Sequence, residues 1–225
     1  MSRCVLFLLV AVLLPLTEGW WFIRTNSRQK AEGDIKRDCI AKAKKGTCDF
    51  FVCFDQRHPC EHSNYALSFG WKFCTAFDQH YARFDAEAKN WINGTRKCVM
   101  EAMLEFYNEE HVNCQDVSEE MKDAHGRCGA ENGICSLPLL HNNKHVLTDI
   151  YGVNEKTLHR MALFFKHCGK NTFYAIGDWF TDTFKGIWPK VDNFFSGFGD
   201  KLKEGFEATK DTLKEWGNTL KDVFT

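Results

Sequence analysis

Apolar and cysteine positions recur at intervals of three and four through the middle of the chain: Cys74, Phe77, Tyr81, Phe84, Ala88, Trp91, Thr95, Cys98, Ala102 and Phe106. Residues so spaced share a helix face, which predicts one buried stripe along a long helix or along two consecutive ones. Asp85 is a suitable cap for a second helix and Gly94 weakens the middle of the run, so one kinked helix and two stacked helices both fit. A shorter helix is predicted over residues 34–45, with Gly46 as its stop. Thr47 then reads as the cap of a short apolar helix carrying Cys48, Phe50, Phe51, Cys53 and Phe54. On such a helix Cys48 and Cys53 lie about 140° apart and face different neighbours. Two more helices are predicted over residues 115–124 and 155–167, the second capped by Asn154 and burying Leu158, Met161, Ala162 and Phe165. Residues 129–133, with Cys135 and Pro138, read as a loop. Alternating runs are few, so the predicted class is all-α.

The character of the pattern changes after Cys168. Residues 171–225 hold no cysteine, are rich in Phe and Trp, and place Phe195, Phe198, Leu202, Phe206, Leu213, Trp216, Leu220 and Phe224 mostly on one helical face. Lys201, Glu204, Glu207, Lys210, Asp211, Lys214 and Asp222 fall elsewhere around the axis. Gly197, Gly199 and Gly205 each weaken that helix by roughly 1 kcal/mol relative to Ala, so it needs a surface to lie on. Three surfaces fit: the protein's own domain, a lipid surface suited to Trp179, Trp188 and Trp216, and a groove on a second copy or a partner. The expected organisation is therefore a disulfide-stapled helical domain over residues 34–170 followed by an amphipathic, aromatic-rich helical tail over residues 171–225.

Residues 1–19 open with Arg3, continue through an apolar run and end in Thr17, Glu18 and Gly19, the form of a removed secretory signal; the run is too short to span a bilayer comfortably. Residues 20–33 turn polar without sustained period and read as a loosely ordered leader. The chain ends Lys221-Asp222-Val223-Phe224-Thr225, which is no retention signal. The expected destination is outside the cell. Cysteine usage agrees: of eleven cysteines, Cys4 leaves with the signal, and the other ten form an even set suited to five disulfides in an oxidising compartment.

Candidate chemistry is sparse. A net charge of −1 with both signs interspersed gives no footprint for nucleic acid. No Cys-x-x-Cys or His-Glu-x-x-His occurs, and His58 and His62 around Cys60 lack a matching second half, so no metal or cofactor is assigned. Nucleophile elbows, phosphate loops and paired carboxylates in a recognisable setting are missing as well. Glu109-Glu110-His111 resembles an acid/base cluster on paper but reads as a solvated helix end. The expectation is a protein that is not an enzyme. Asn93-Gly94-Thr95 meets the N-glycosylation pattern and makes Asn93 a candidate acceptor if it is exposed.

The ordered series Cys39, Cys48, Cys53, Cys60, Cys74, Cys98, Cys114, Cys128, Cys135 and Cys168, with Phe84-Asp85 and Lys89 between, resembles the cysteine frame of the stanniocalcins. The segment Gly46-Thr47-Cys48-Asp49-Phe50-Phe51-Val52-Cys53 is similar to that family's short stretch of glycine, cysteine, aromatics and cysteine. The likeness covers Cys39 to Cys168 and is that of a divergent, invertebrate-like member. It implies the pairs Cys39 with Cys53, Cys48 with Cys74, Cys60 with Cys114, Cys98 with Cys128, and Cys135 with Cys168. It also implies a secreted glycoprotein hormone that binds an extracellular protein, in calcium and phosphate homeostasis or in inhibition of a pappalysin-type metalloprotease. The alternative is a secreted lipid- or membrane-surface-binding protein acting through its tail. Two features depart from the family. Vertebrate members join two chains through a further cysteine, and no cysteine follows Cys168 here, so a monomer or a non-covalent homodimer is expected. The sequon at Asn93 also lies further along the chain than the family's.

Overall fold

The computed structural model describes residues 28–61, 65–152, 161 and 164–184. Among the described residues seven bounded helices carry the fold: α1 (Arg37–Lys45), α2 (Asp49–Arg57), α3 (Lys72–His80), α4 (Ala86–Asn108), α5 (Cys114–Glu131), α6 (Leu137–Tyr151) and α7 (Lys170–Phe184). A π-helical segment, Ala66–Trp71, leads into α3, and short 3-10 turns occupy Tyr81–Arg83 and Lys166–Cys168. The domain is all-α and stapled by disulfides.

Gly46 stops α1 by adopting φ +68, a left-handed conformation that any side chain would strain, and its N–H donates to Ala43 while the Thr47 N–H donates to Lys42. The predicted start at residue 34 is three residues early, since Lys36 is the last residue outside the helix. Thr47 does not cap α2 with its side chain; its hydroxyl turns back to the Lys42 carbonyl and helps close α1.

Of the two arrangements that fit the stripe, the structure has the consecutive helices α3 and α4. The chain breaks at Phe84 and Asp85, and Asp85 Oδ1 caps α4 by accepting the Ala88 N–H at 2.8 Å. Gly94 does not interrupt α4. A Cβ there would overlap the Asn132 side chain, so the glycine lets the end of α5 approach closely. Beyond Thr95 the buried stripe runs through Val99, Met103 and Tyr107, with Met100 beside it, while Cys98, Ala102 and Phe106 are only half-buried. The shift arises because α4 lies along both of the molecule's core clusters. Its first half packs with Phe77, Leu139, Leu147, Phe165, Phe173 and Ile176, and its second half with Phe50, Phe54, Tyr65, Val117 and Met121.

Three predicted non-helical regions have regular structure. α5 continues well past residue 124 to Glu131, so residues 129–131 are helix, and only the turn around Gly133 and Cys135 remains a loop. Pro138 opens α6, where its missing N–H costs nothing, and Ser136 caps that helix by accepting from Leu139. In the leader, Arg28–Lys30 forms β1, paired antiparallel with β2 (His111–Asn113) in the register Gln29 opposite Val112. Of the predicted helix over 155–167, Asn154, Leu158 and Ala162 lie outside the described residues, Met161 and Phe165 are buried, and residues 166–168 form the 3-10 turn. Residues 171–184, assigned to the tail by composition, belong to α7 and bury Phe173, Ile176 and Phe180 in the core.

Candidate functional site

Five disulfides tie the seven helices α1 to α7 so that each has a bridge on it or within two residues of its end. Cys39–Cys53 joins α1 to α2, and Cys48–Cys74 joins the start of α2 to α3. Cys60–Cys114 fastens the segment after α2 to the start of α5, and Cys98–Cys128 clamps α4 to α5. Cys135–Cys168 links the turn before α6 to the turn before α7. Cys48 and Cys53 lie on one short helix and reach different partners, in keeping with their angular separation. With all ten sulfurs bridged, none is a thiolate nucleophile or metal ligand. Asp78 sits beside Cys48 and Cys74 in a grouping that resembles a cation site, but both sulfurs are in the disulfide and Asp78 is ion-paired to Arg96 at 2.6 Å.

Polar groups inside the domain serve to join elements. Arg57 is 6 % exposed, and its guanidinium donates to the carbonyls of Tyr107 at 2.8 Å, Gly33 and Glu109, uniting the leader, α2 and the end of α4. His58 beside it is fully buried; its ring nitrogens make no hydrogen bond of ordinary geometry among the described residues, though the Tyr107 and Phe106 backbone lies near them. Burial first, and the Arg57 charge second, lower its pKa, against a smaller raising effect of the Tyr107 and Phe106 backbone. His62 lies outside the described residues.

On α5, His125 Nδ1 and the Tyr65 hydroxyl share a hydrogen bond of 2.9 Å, and burial pulls His125 down to about 4 while pushing Tyr65 up. Two residues earlier, Asp123 accepts from Lys166 at 2.7 Å and His167 at 3.1 Å, with Arg127 at 3.4 Å. The His167 hydrogen bond, and then the Lys166 contacts, hold the Asp123 carboxyl well below the usual carboxylate range. Sequence reading singles out none of Arg57, His125, Asp123 or the buried Asn143, because each acquires its role from a partner distant in the chain.

The acid/base cluster does not assemble. Glu109, Glu110 and His111 are all exposed where the chain passes from α4 to β2. Asn93 is exposed on α4, its Nδ2 donating to the Tyr81 hydroxyl at 2.8 Å, whereas Thr95 of the same sequon is buried. Phe195, Phe198, Leu202, Phe206, Leu213, Trp216, Leu220 and Phe224 lie outside the described residues, as does Trp188. Among the described residues no helix is long and apolar enough to cross a membrane.

These features define a disulfide-stapled all-α domain whose interior is structural. The family model described as the Stanniocalcin family matches residues 22–178, more than half of the chain. The chain belongs to the stanniocalcin family. That family consists of secreted, hormone-like regulatory glycoproteins and is not known for enzymes, and multiple disulfides are consistent with an extracellular protein. No curated protein and no solved structure matches the chain.

Proposed function

We propose that this protein is a secreted regulator that acts by docking its rigid outer surface on an extracellular protein. The partner is either a receptor in calcium and phosphate handling or a pappalysin-type metalloprotease that it inhibits. The observation that carries this reading is the placement of the five bridges on, or within two residues of, each of the seven described helices. A surface fixed in advance loses little conformational entropy on binding, which favours affinity for a macromolecular partner. Trp71 is a candidate anchor: it is 42 % exposed at the end of the π-helical segment, and exposed tryptophans are over-represented among binding hot spots. Asn93, exposed on α4, is proposed to carry N-linked glycan, and a mass loss on amidase treatment of secreted protein tests that point.

The test of docking is binding to, and inhibition of, a pappalysin-type metalloprotease by the oxidised secreted protein, with a calcium and phosphate uptake assay in parallel. Either activity should survive truncation after residue 184, which spares Phe173, Ile176 and Phe180 in the core. Trp71→Ala should weaken it at least tenfold while the protein stays folded. Activity that disappears with residues 185–225, accompanied by vesicle binding of the full chain, would place the function in the tail instead. Absence of both activities from oxidised full-length protein would overturn the docking proposal.

A further inference from the structure

Asn93-Gly94-Thr95 lies wholly within α4, and the helix points its two functional side chains apart. At about 100° per residue, positions two apart stand about 160° from one another around the axis. Asn93 accordingly faces solvent, while Thr95 is 6 % exposed on the buried side, with Trp91 and Val99 one turn to either side. N-glycosylation needs both residues: the amide takes the sugar, and the hydroxyl two residues on is part of the acceptor signal. While α4 is formed, an enzyme that grips Asn93 cannot touch the Thr95 hydroxyl, whose oxygen is buried.

Within the folded domain that hydroxyl has nothing to bond. Thr95 Oγ1 is without a hydrogen-bond partner among the described residues. An unpaired buried hydroxyl is unfavourable, and valine, of the same shape, would fill the site without it. A buried polar group that works against the folded state calls for a use outside that state. Asn93 is engaged too, since its Nδ2 donates to the Tyr81 hydroxyl at 2.8 Å. The order of synthesis provides an interval in which both side chains are free. Cys98 lies less than one turn beyond Thr95, and its bridge to Cys128 clamps this part of α4 to α5. The two cysteines are 30 residues apart, so about 2–6 s of synthesis, at about 5–20 residues per second, precede the earliest closure of that bridge.

Resting on the reading that Asn93 is glycosylated, we propose that the glycan is transferred before α4 closes on α5, that the Thr95 hydroxyl acts only in that open chain, and that folding then withdraws the site from the transferase. The donor is an oligosaccharide carried on a polyprenyl pyrophosphate. A bond forms from Asn93 Nδ2 to C1 of the sugar as the bond from C1 to the pyrophosphate oxygen breaks. The pyrophosphate leaves with the electron pair, and Nδ2 gives up one proton to the transferase. The hydrogen that stays on Nδ2 serves the Tyr81 hydroxyl once α4 forms, and the glycan projects from the exposed face. A chain that folds first keeps Asn93 bare.

The test offers the full-length chain, made without glycan, to an oligosaccharyltransferase and its polyprenyl-pyrophosphate donor in two forms, oxidised and folded or reduced and alkylated. Occupancy of Asn93 is read by peptide mass over time. The reduced chain should be modified at least about tenfold faster, because the folded chain reacts only through local opening. Equal rates would overturn the proposed order while leaving Asn93 an acceptor. A reduced chain that takes no sugar at Asn93 would remove the acceptor reading, and the proposal with it. A second measurement compares Thr95→Val with the parent chain, both without glycan and both oxidised. Removing an unpaired buried hydroxyl should raise Tm by about 2–4 °C. A Tm that does not rise would show that the hydroxyl serves the folded domain, against the proposal.

Discussion

Asn132 donates from Nδ2 to the Cys128 carbonyl at 2.8 Å, and its side chain occupies the place a Cβ at position 94 would take. Helix propensity alone ranks Ala above Gly by about 1 kcal/mol, but Gly94→Ala breaks that bond, at about 1 kcal/mol, and overpacks against Asn132, at about 1 kcal/mol more, so we expect a net destabilisation of about 1 kcal/mol in denaturant unfolding. In an Asn132→Ala background the same change should stabilise, and a cost that persists there would refute the steric account. Titration gives a second residue-scale prediction. Because the folded His125 pKa, about 4, lies below its ordinary 6.5, the unfolded chain binds the extra proton between those values. Stability is therefore intact above pH 6.5 and falls as pH drops toward 4. A full shift would remove about 3 kcal/mol, and the partial exposure of the ring makes the loss smaller. His58 acts in the same direction, whereas Asp123, whose carboxyl is lowered from 3.8, loses its contribution only below that pH. Unfolding free energies measured from pH 7 to 4.5 should fall, and fall less steeply in His125→Phe; identical slopes would exclude His125. Such residues escape a one-dimensional reading. Arg57 resembles any helix-terminal arginine until Gly33 and Glu109 are folded against it.

Asp85 and Asn143 show how two helices set one another's positions. Asp85 Oδ1 caps α4, while its Oδ2 accepts from Asn143 Nδ2 at 3.0 Å and its N–H donates to Asn143 Oδ1 at 3.2 Å. Loss of an N-cap costs about 1 kcal/mol, and leaving one of the two Nδ2 hydrogens of Asn143, 3 % exposed, without its acceptor while the bond to the Leu139 carbonyl stays adds a comparable amount. Asp85→Ala should therefore destabilise by about 2 kcal/mol, and a double-mutant cycle with Asn143→Ala should show clear coupling; strict additivity would mean that the two helices do not communicate here. The cap itself was legible, since an aspartate preceding a helical period has few other readings. Its partner helix was not, because Pro138 and nearby glycines resemble a loop until proline is placed at the first turn of α6. The stripe through Cys98, Ala102 and Phe106 failed for a related reason: period locates a single face, and the second half of α4 turns from one core cluster to the other. The short pairing of Arg28–Lys30 with His111–Asn113 left too few residues for alternation to register.

For the whole molecule the bridges dominate the comparison of folded and unfolded chains. Cys60–Cys114 closes the longest interval, 54 residues, and its removal by Cys60→Ser with Cys114→Ser should cost about 4 kcal/mol in the chain-entropy model, read as a large fall in Tm. A fall no larger than that from a surface substitution would show that the unfolded chain is already restrained there. The order of cysteines made the family legible because spacing survives where intervening residues drift, whereas the surface that meets a partner leaves no periodic trace. Charge balance and missing motifs only narrowed the choice to binding. Disulfide mapping of the secreted protein without reduction, after alkylation of any free thiol, tests the central claim of a stapled extracellular domain most directly. The account predicts five linked peptide pairs, Cys39–Cys53, Cys48–Cys74, Cys60–Cys114, Cys98–Cys128 and Cys135–Cys168, and no alkylated cysteine among those ten. A Cys48–Cys53 peptide, or alkylation at several of the ten positions, would contradict it.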